Sequence, residues 1–101
     1  MVNKTYRIVW TRRSQTHLAA AHKFIAQDSK KQADKVVANI ASAVYKAIEN
    51  PEYYNPDKFK VDNDGSYRAF EKHHFRISYR FTATVIRVLR VRHTKMSINK
   101  Y

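Results

Sequence analysis

The chain has 101 residues, 44% hydrophobic and 13% aromatic, which allows one domain (1–101) and excludes a disordered chain, because disorder goes with few aromatics. It has no cysteine, so disulfides, zinc ribbons, iron–sulfur clusters and thiol nucleophiles are excluded. Twenty Lys and Arg against eight acids give a net charge of +12, and no apolar run approaches the ~20 residues of a membrane span, so a soluble cytoplasmic protein with polyanionic or acidic partners is expected.

Tyr6, Ile8 and Trp10 alternate with Arg7, Val9 and Thr11, the period of a first strand. Arg12, Arg13 and Ser14 open a helix to about Ala26, with Leu18, Ala21 and Ile25 on one stripe beside Phe24. Ser29 and Gln32 fit a capping box. Val37, Ile40, Ala41, Val44 and Ile48 then carry a second helix as far as Asn50-Pro51, where proline stops it. Residues 51–65 hold both prolines and the only glycine and show no period, a long loop of the kind that is often functional. Tyr67 to Lys72 reads as a second strand. Phe75, Ile77, Tyr79 and Phe81 mark a third, and Val85 to His93 a fourth after the tight Ala83-Thr84 connection. Residues 94–101 form a basic tail.

The expected fold is α+β, in the order β-α-α-β-β-β. A helical hairpin packs on one face of a small, mostly antiparallel twisted sheet. The phases of strand four mix, with Ile86 and Val88 followed by Leu89 and Val91, which predicts a bulge. The charge is uneven. From Ser66 to Tyr101 nine Lys/Arg stand against Glu71 alone, net +8, whereas residues 1–65 carry only +4. With the apolar set of strand three toward the helices, Arg76 and Arg80 point the other way. Arg68, Lys72, Arg90 and Arg92 are expected beside them, making an open, concave cationic face. His73 and His74, read as strand neighbours, point to opposite faces, and His17 and His22 lie five apart on a helix, so no metal site is expected.

Phe75-Arg76-Ile77-Ser78-Tyr79 and the run from Ile86 to His93, behind a two-helix hairpin, resemble the third and final strands of the RelE/ParE superfamily of type II toxins. The resemblance spans essentially the whole chain. It implies a small toxin held by a cognate antitoxin with an acidic or amphipathic segment, and no cofactor. Its RelE-like and YoeB-like branches are ribosome-dependent endoribonucleases that cut mRNA and block translation. Its ParE-like branch inhibits DNA gyrase without catalysis. The segment from Pro56 to Lys60 resembles the YoeB-type stretch carrying a catalytic carboxylate, and His93 sits where that branch has a histidine. Lys95 and Tyr101 resemble the cation and tyrosine of a RelE-like tail. On these residues the ribonuclease branch, a metal-independent mRNA interferase with the ribosome as partner, is the favoured expectation. Gyrase inhibition is the alternative.

The resemblance gives each residue a role in 2′-OH attack on the adjacent phosphate. Arg76 stabilises the phosphorane, since a guanidinium stays charged and forks onto phosphate oxygens. His93 protonates the leaving 5′ oxygen, Asp57 is the base, and Tyr101 stacks on a nucleobase or lends its phenol. Arg68, Lys72, Arg90, Arg92 and Lys95 contact the nucleic acid. The structural alternatives are a solvated strand arginine at 76, a turn residue at 57 and a frayed end at 101.

Overall fold

Thr11 is the joint between the first two elements. Its backbone N–H donates to Val88 O at 3.1 Å, and its hydroxyl donates to Leu89 O and accepts from Ser14 N–H. One residue therefore ends strand β1 (Arg7–Trp10) and caps helix α1 (Arg12–Ala26), satisfying a helix-end donor that has no partner within the helix. The structure, a computed structural model, describes residues 6–101. Helix α2 (Lys30–Glu49) starts at Ser29, whose hydroxyl accepts from Gln32 N–H at 3.0 Å.

The buried stripe of α2 is Ala33, Val36, Ile40, Ala43, Val44 and Ala47. It is rotated from the expected line, and Val37, Ala41 and Ile48 are only half-buried. Three of the six are alanines, whose small side chains let a helix sit close to its neighbours. Ile40, Val44, Ile77, Tyr79, Ile86 and Val88 are fully buried with them. Burying each of the large aliphatic side chains is worth about 1.5–3 kcal/mol.

Strands β2 (Tyr67–Lys72), β3 (Phe75–Phe81) and β4 (Val85–His93) form an antiparallel meander. β1 adds parallel to β4, so the sheet order is β1-β4-β3-β2. This is the expected α+β fold, with one parallel pair. The register shifts between Ser78 and Tyr79: Ser78 lies opposite Arg90, and Tyr79 opposite Val88. Leu89 is the extra residue, which lets Ile86, Val88 and Val91 all reach the core.

Two segments differ from the sequence reading. His73 and His74 are not strand residues. Both have positive φ, 52° and 68°, and form the two-residue turn between β2 and β3, the shape that matches strand twist. Asn39 on α2 donates to His73 Nε2 at 2.8 Å and ties the turn to the helices. Residues 51–65, although aperiodic, are held in place. Asp57 N–H donates to Tyr67 O and Ala69 N–H to Asn55 O, so the segment covers the outer edge of β2. Tyr54 stacks on Phe70 with centroids 4.2 Å apart and donates to Ala43 O, and Tyr79 donates to Pro51 O at 2.6 Å. Among the described residues no helix is long and apolar enough to cross a membrane.

Candidate functional site

Directly paired residues in a sheet point to the same side, so the register assigns each candidate to a face. Phe75 pairs with His93, Ile77 with Val91 and Phe70, and Tyr79 with Arg68. These point toward the helices. Arg76 pairs with Arg92 and Glu71, and Ser78 with Arg90 and Ala69, on the far side. Arg68 and Lys72 therefore leave the cationic face expected for them. Lys72 lies opposite Phe75, and Arg68 donates to the carbonyls of Gly65 and Tyr54 on the helix side. YRAFEK has no strict alternation to fix its register, so its faces are set by pairing with β3.

The far face is not open at its centre either. Arg76 is 7% exposed and Asp57 1%, and they pair at 3.0 Å. Tyr101 donates its phenol to the other carboxylate oxygen at 2.6 Å, and Phe59 N–H donates to the first at 3.0 Å. The Arg76 guanidinium stacks on the Phe59 ring at 4.9 Å and meets Glu71 at 3.5 Å. The tail is pinned by backbone bonds as well, Tyr101 N–H to Phe59 O and Val61 N–H to Tyr101 O. Arg90 lies over the Tyr101 ring at 4.0 Å.

Asp57, Arg76 and Tyr101 thus meet although they are far apart in sequence. Burial pushes the Asp57 carboxyl up, but the bonds from Tyr101, Arg76 and the Phe59 N–H outweigh it and hold it below the ordinary carboxylate range. Burial, and then the bond to that carboxylate, push the Tyr101 phenol well above its usual value. A carboxylate with both oxygens engaged and a lowered pKa is a weak base, and such a phenol keeps its proton. Phe59 and Glu71, which complete this cluster, were not legible in the sequence.

His93 lies elsewhere. Paired with Phe75 and edge-on to its ring at 5.1 Å, it points to the helix side of the sheet, away from Arg76. Its Nδ1 accepts from Lys95 N–H at 3.1 Å. There it borders a groove of about 580 Å³ between α1 and the end of β4. The floor is apolar, with Ala20, Ala21, Phe75 and Val91, and the exposed Phe24 and Met96 stand at its sides. Arg92, His93 and Lys95 make its cationic rim. The sheet thus carries the two residues assigned to cleavage chemistry, Arg76 and His93, on opposite faces.

Residues 8–98 match the family model described as the ParE toxin of the type II toxin-antitoxin system, parDE. A solved structure titled "Chromosomal ParDE TA system from P. aeruginosa" superimposes with a TM-score of 0.73 at 20% identity, covering 90% of this chain and 98% of that one. At that identity the likeness concerns the fold. No curated protein matches the chain. The match is to ParE, and it gives no support to the ribonuclease branch favoured on the sequence motifs. Spanning nearly the whole of the fold described above, it places the chain in the ParE toxin family of type II toxin–antitoxin systems.

Proposed function

We propose that the protein is a toxin that acts by binding DNA gyrase in the cytoplasm, without cutting RNA, and that a cognate antitoxin silences it. The carrying observation is the separation of Arg76 from His93 across the sheet, with Arg76 closed over by Asp57 and Tyr101. In-line cleavage needs cation, base and acid around one phosphate. A cation on one face and an acid on the other cannot share it. The family match supports the same reading. The antitoxin's place is the α1–β4 groove, whose apolar floor and Arg92–His93–Lys95 rim suit the apolar and acidic sides of an amphipathic helix.

Two assays run side by side test this: supercoiling by purified gyrase, and primer extension on mRNA in a translating extract. The expected result is inhibition of supercoiling with no new mRNA ends, and inhibition that survives Arg76→Lys. Codon-spaced mRNA cleavage with unaffected gyrase would overturn it and restore the ribosome as target.

A further inference from the structure

A second cavity lies beside the groove and differs from it in kind. Arg13, His17, Arg90, Arg92 and Asn99 line a polar pocket of about 270 Å³. Arg13 and His17 stand one turn apart on α1, on the same side of the helix. Arg90 and Arg92 project from β4 at alternate positions, just past the Leu89 bulge. Among the described residues, no acid lines the pocket and none of its three arginines forms an ion pair.

Two of the donors, Arg90 and His17, are held in place. Arg90 donates from Nη2 to Asn99 O at 3.0 Å and stacks on Tyr101, and its buried Nε–H has no acceptor among the described residues. β1 stops pairing at Val88, so the Val91 N–H is free of a strand partner on that side and donates instead to His17 Nδ1 at 3.1 Å. An imidazole that accepts at Nδ1 carries its hydrogen on Nε2, so His17 is a neutral ring with one further donor. Burial, followed by the charges of Arg92, Arg13 and Arg90, lowers its pKa, in keeping with three cations gathered around it.

We propose that Arg13, His17, Arg90 and Arg92 form a binding site for a phosphomonoester, the terminal phosphate of a nucleotide or of a nucleic-acid end. Three permanent cations and a neutral N–H donor converge from two elements. A carboxylate offers one charge and two oxygens in a plane, which leaves most of these donors unused. A phosphomonoester offers nearly two charges and three oxygens spread over a tetrahedron, and guanidinium forks match them. This site shares Arg92 with the groove but needs neither gyrase binding nor RNA cleavage to exist.

The test is a titration of the isotope-labelled protein at constant ionic strength, with affinities taken from amide and histidine-ring shifts. The probes are inorganic phosphate, a nucleoside 5′-monophosphate against its nucleoside, and a 5′-phosphorylated oligonucleotide against the same strand ending in 5′-OH. Saturable shifts at His17, Arg90, Val91 and Arg92 are expected with each phosphorylated probe and not with the nucleoside. Preference for the phosphorylated strand over the mononucleotide assigns the source to nucleic-acid ends, and the reverse to free nucleotides. Arg13→Ala and Arg92→Ala should each weaken phosphate binding by about ten-fold or more, as for loss of a charged hydrogen bond. Arg87→Ala, an exposed arginine on β4 outside the pocket, should change it by less than about two-fold. Circular dichroism checks the fold of all three, and because Arg13 is exposed on the first turn of α1 its variant reports on binding alone. Equal losses in all three variants, or phosphate shifts absent from the pocket, would overturn the proposal. So would saturation of the pocket by a glutamate-rich peptide but not by phosphate.

Discussion

Arg68, Arg76 and Arg80 on β2 and β3 reach the carboxylates of Glu52, Asp57 and Asp64 at 3.6, 3.0 and 3.9 Å, whereas Arg13, Arg90 and Arg92 on α1 and β4 face a pocket with no carboxylate. All three acids come from the segment between α2 and β2. That segment therefore does two jobs, covering the edge of the sheet and neutralising the arginines nearest to it. The charge excess of the molecule is displaced toward the α1–β4 side, which also holds the apolar groove. Sequence charge alone does not separate the two sets. What separates them is whether a neighbouring element brings an acid to the same face.

The largest expected effect comes from breaking the paired side. Asp57→Asn leaves the buried Arg76 guanidinium with only the exposed Glu71, 3.5 Å away, as counter-charge, which costs about 3 kcal/mol, read from urea unfolding. The same variant changes the acid limb of stability. The carboxyl is held below its unfolded value, so its contribution is complete above the unfolded pKa of about 4 and fades as pH falls through the folded one. The wild type should lose stability in that window and the variant should lose less. A variant as stable as wild type would mean that Asp57 is no structural partner of Arg76.

Tyr101→Phe removes one bond to the same carboxylate and keeps the ring over Arg90. The loss should be smaller, about 1.5 kcal/mol, as a shift in urea midpoint at unchanged slope. On the unpaired side the sign reverses. Arg92→Gln relieves like-charge crowding and should raise stability by about 0.5 kcal/mol or less at low salt, a gain that vanishes near 1 M salt. A destabilising Arg92→Gln would mean that the two arginine sets are alike after all.

The fold was readable where the chain repeats itself. Alternation in Phe75 to Phe81 and the apolar stripe of α2 fix element type, and the mixed phases at Val88-Leu89 gave the bulge. The faces of Arg68 and Lys72 were not readable, because a strand without alternation takes its register from its partner. Nor was the turn at His73-His74, where the residues most expected at positive φ, glycine and asparagine, are missing. At the site, Asp57, Arg76 and Tyr101 were singled out from family likeness, but their closure into one buried cluster depends on contacts 19 and 44 residues apart in the chain. The pairing of Arg13 and His17 with β4 was not readable for a similar reason. Their helical spacing is ordinary until β4 is laid beside them.

The parallel pairing of β1 with β4 bears on how the protein is made. Thr11 and Leu89, bonded at the strand–helix joint, are 78 residues apart. At about 5–20 residues per second, the ribosome takes roughly 4–16 s to travel from one to the other. During that interval the α1–α2 hairpin can form from local contacts, but β1 has no sheet to join. The groove and the arginine pocket are each built from α1 and β4 together, so neither exists on the nascent chain until the last strand has emerged.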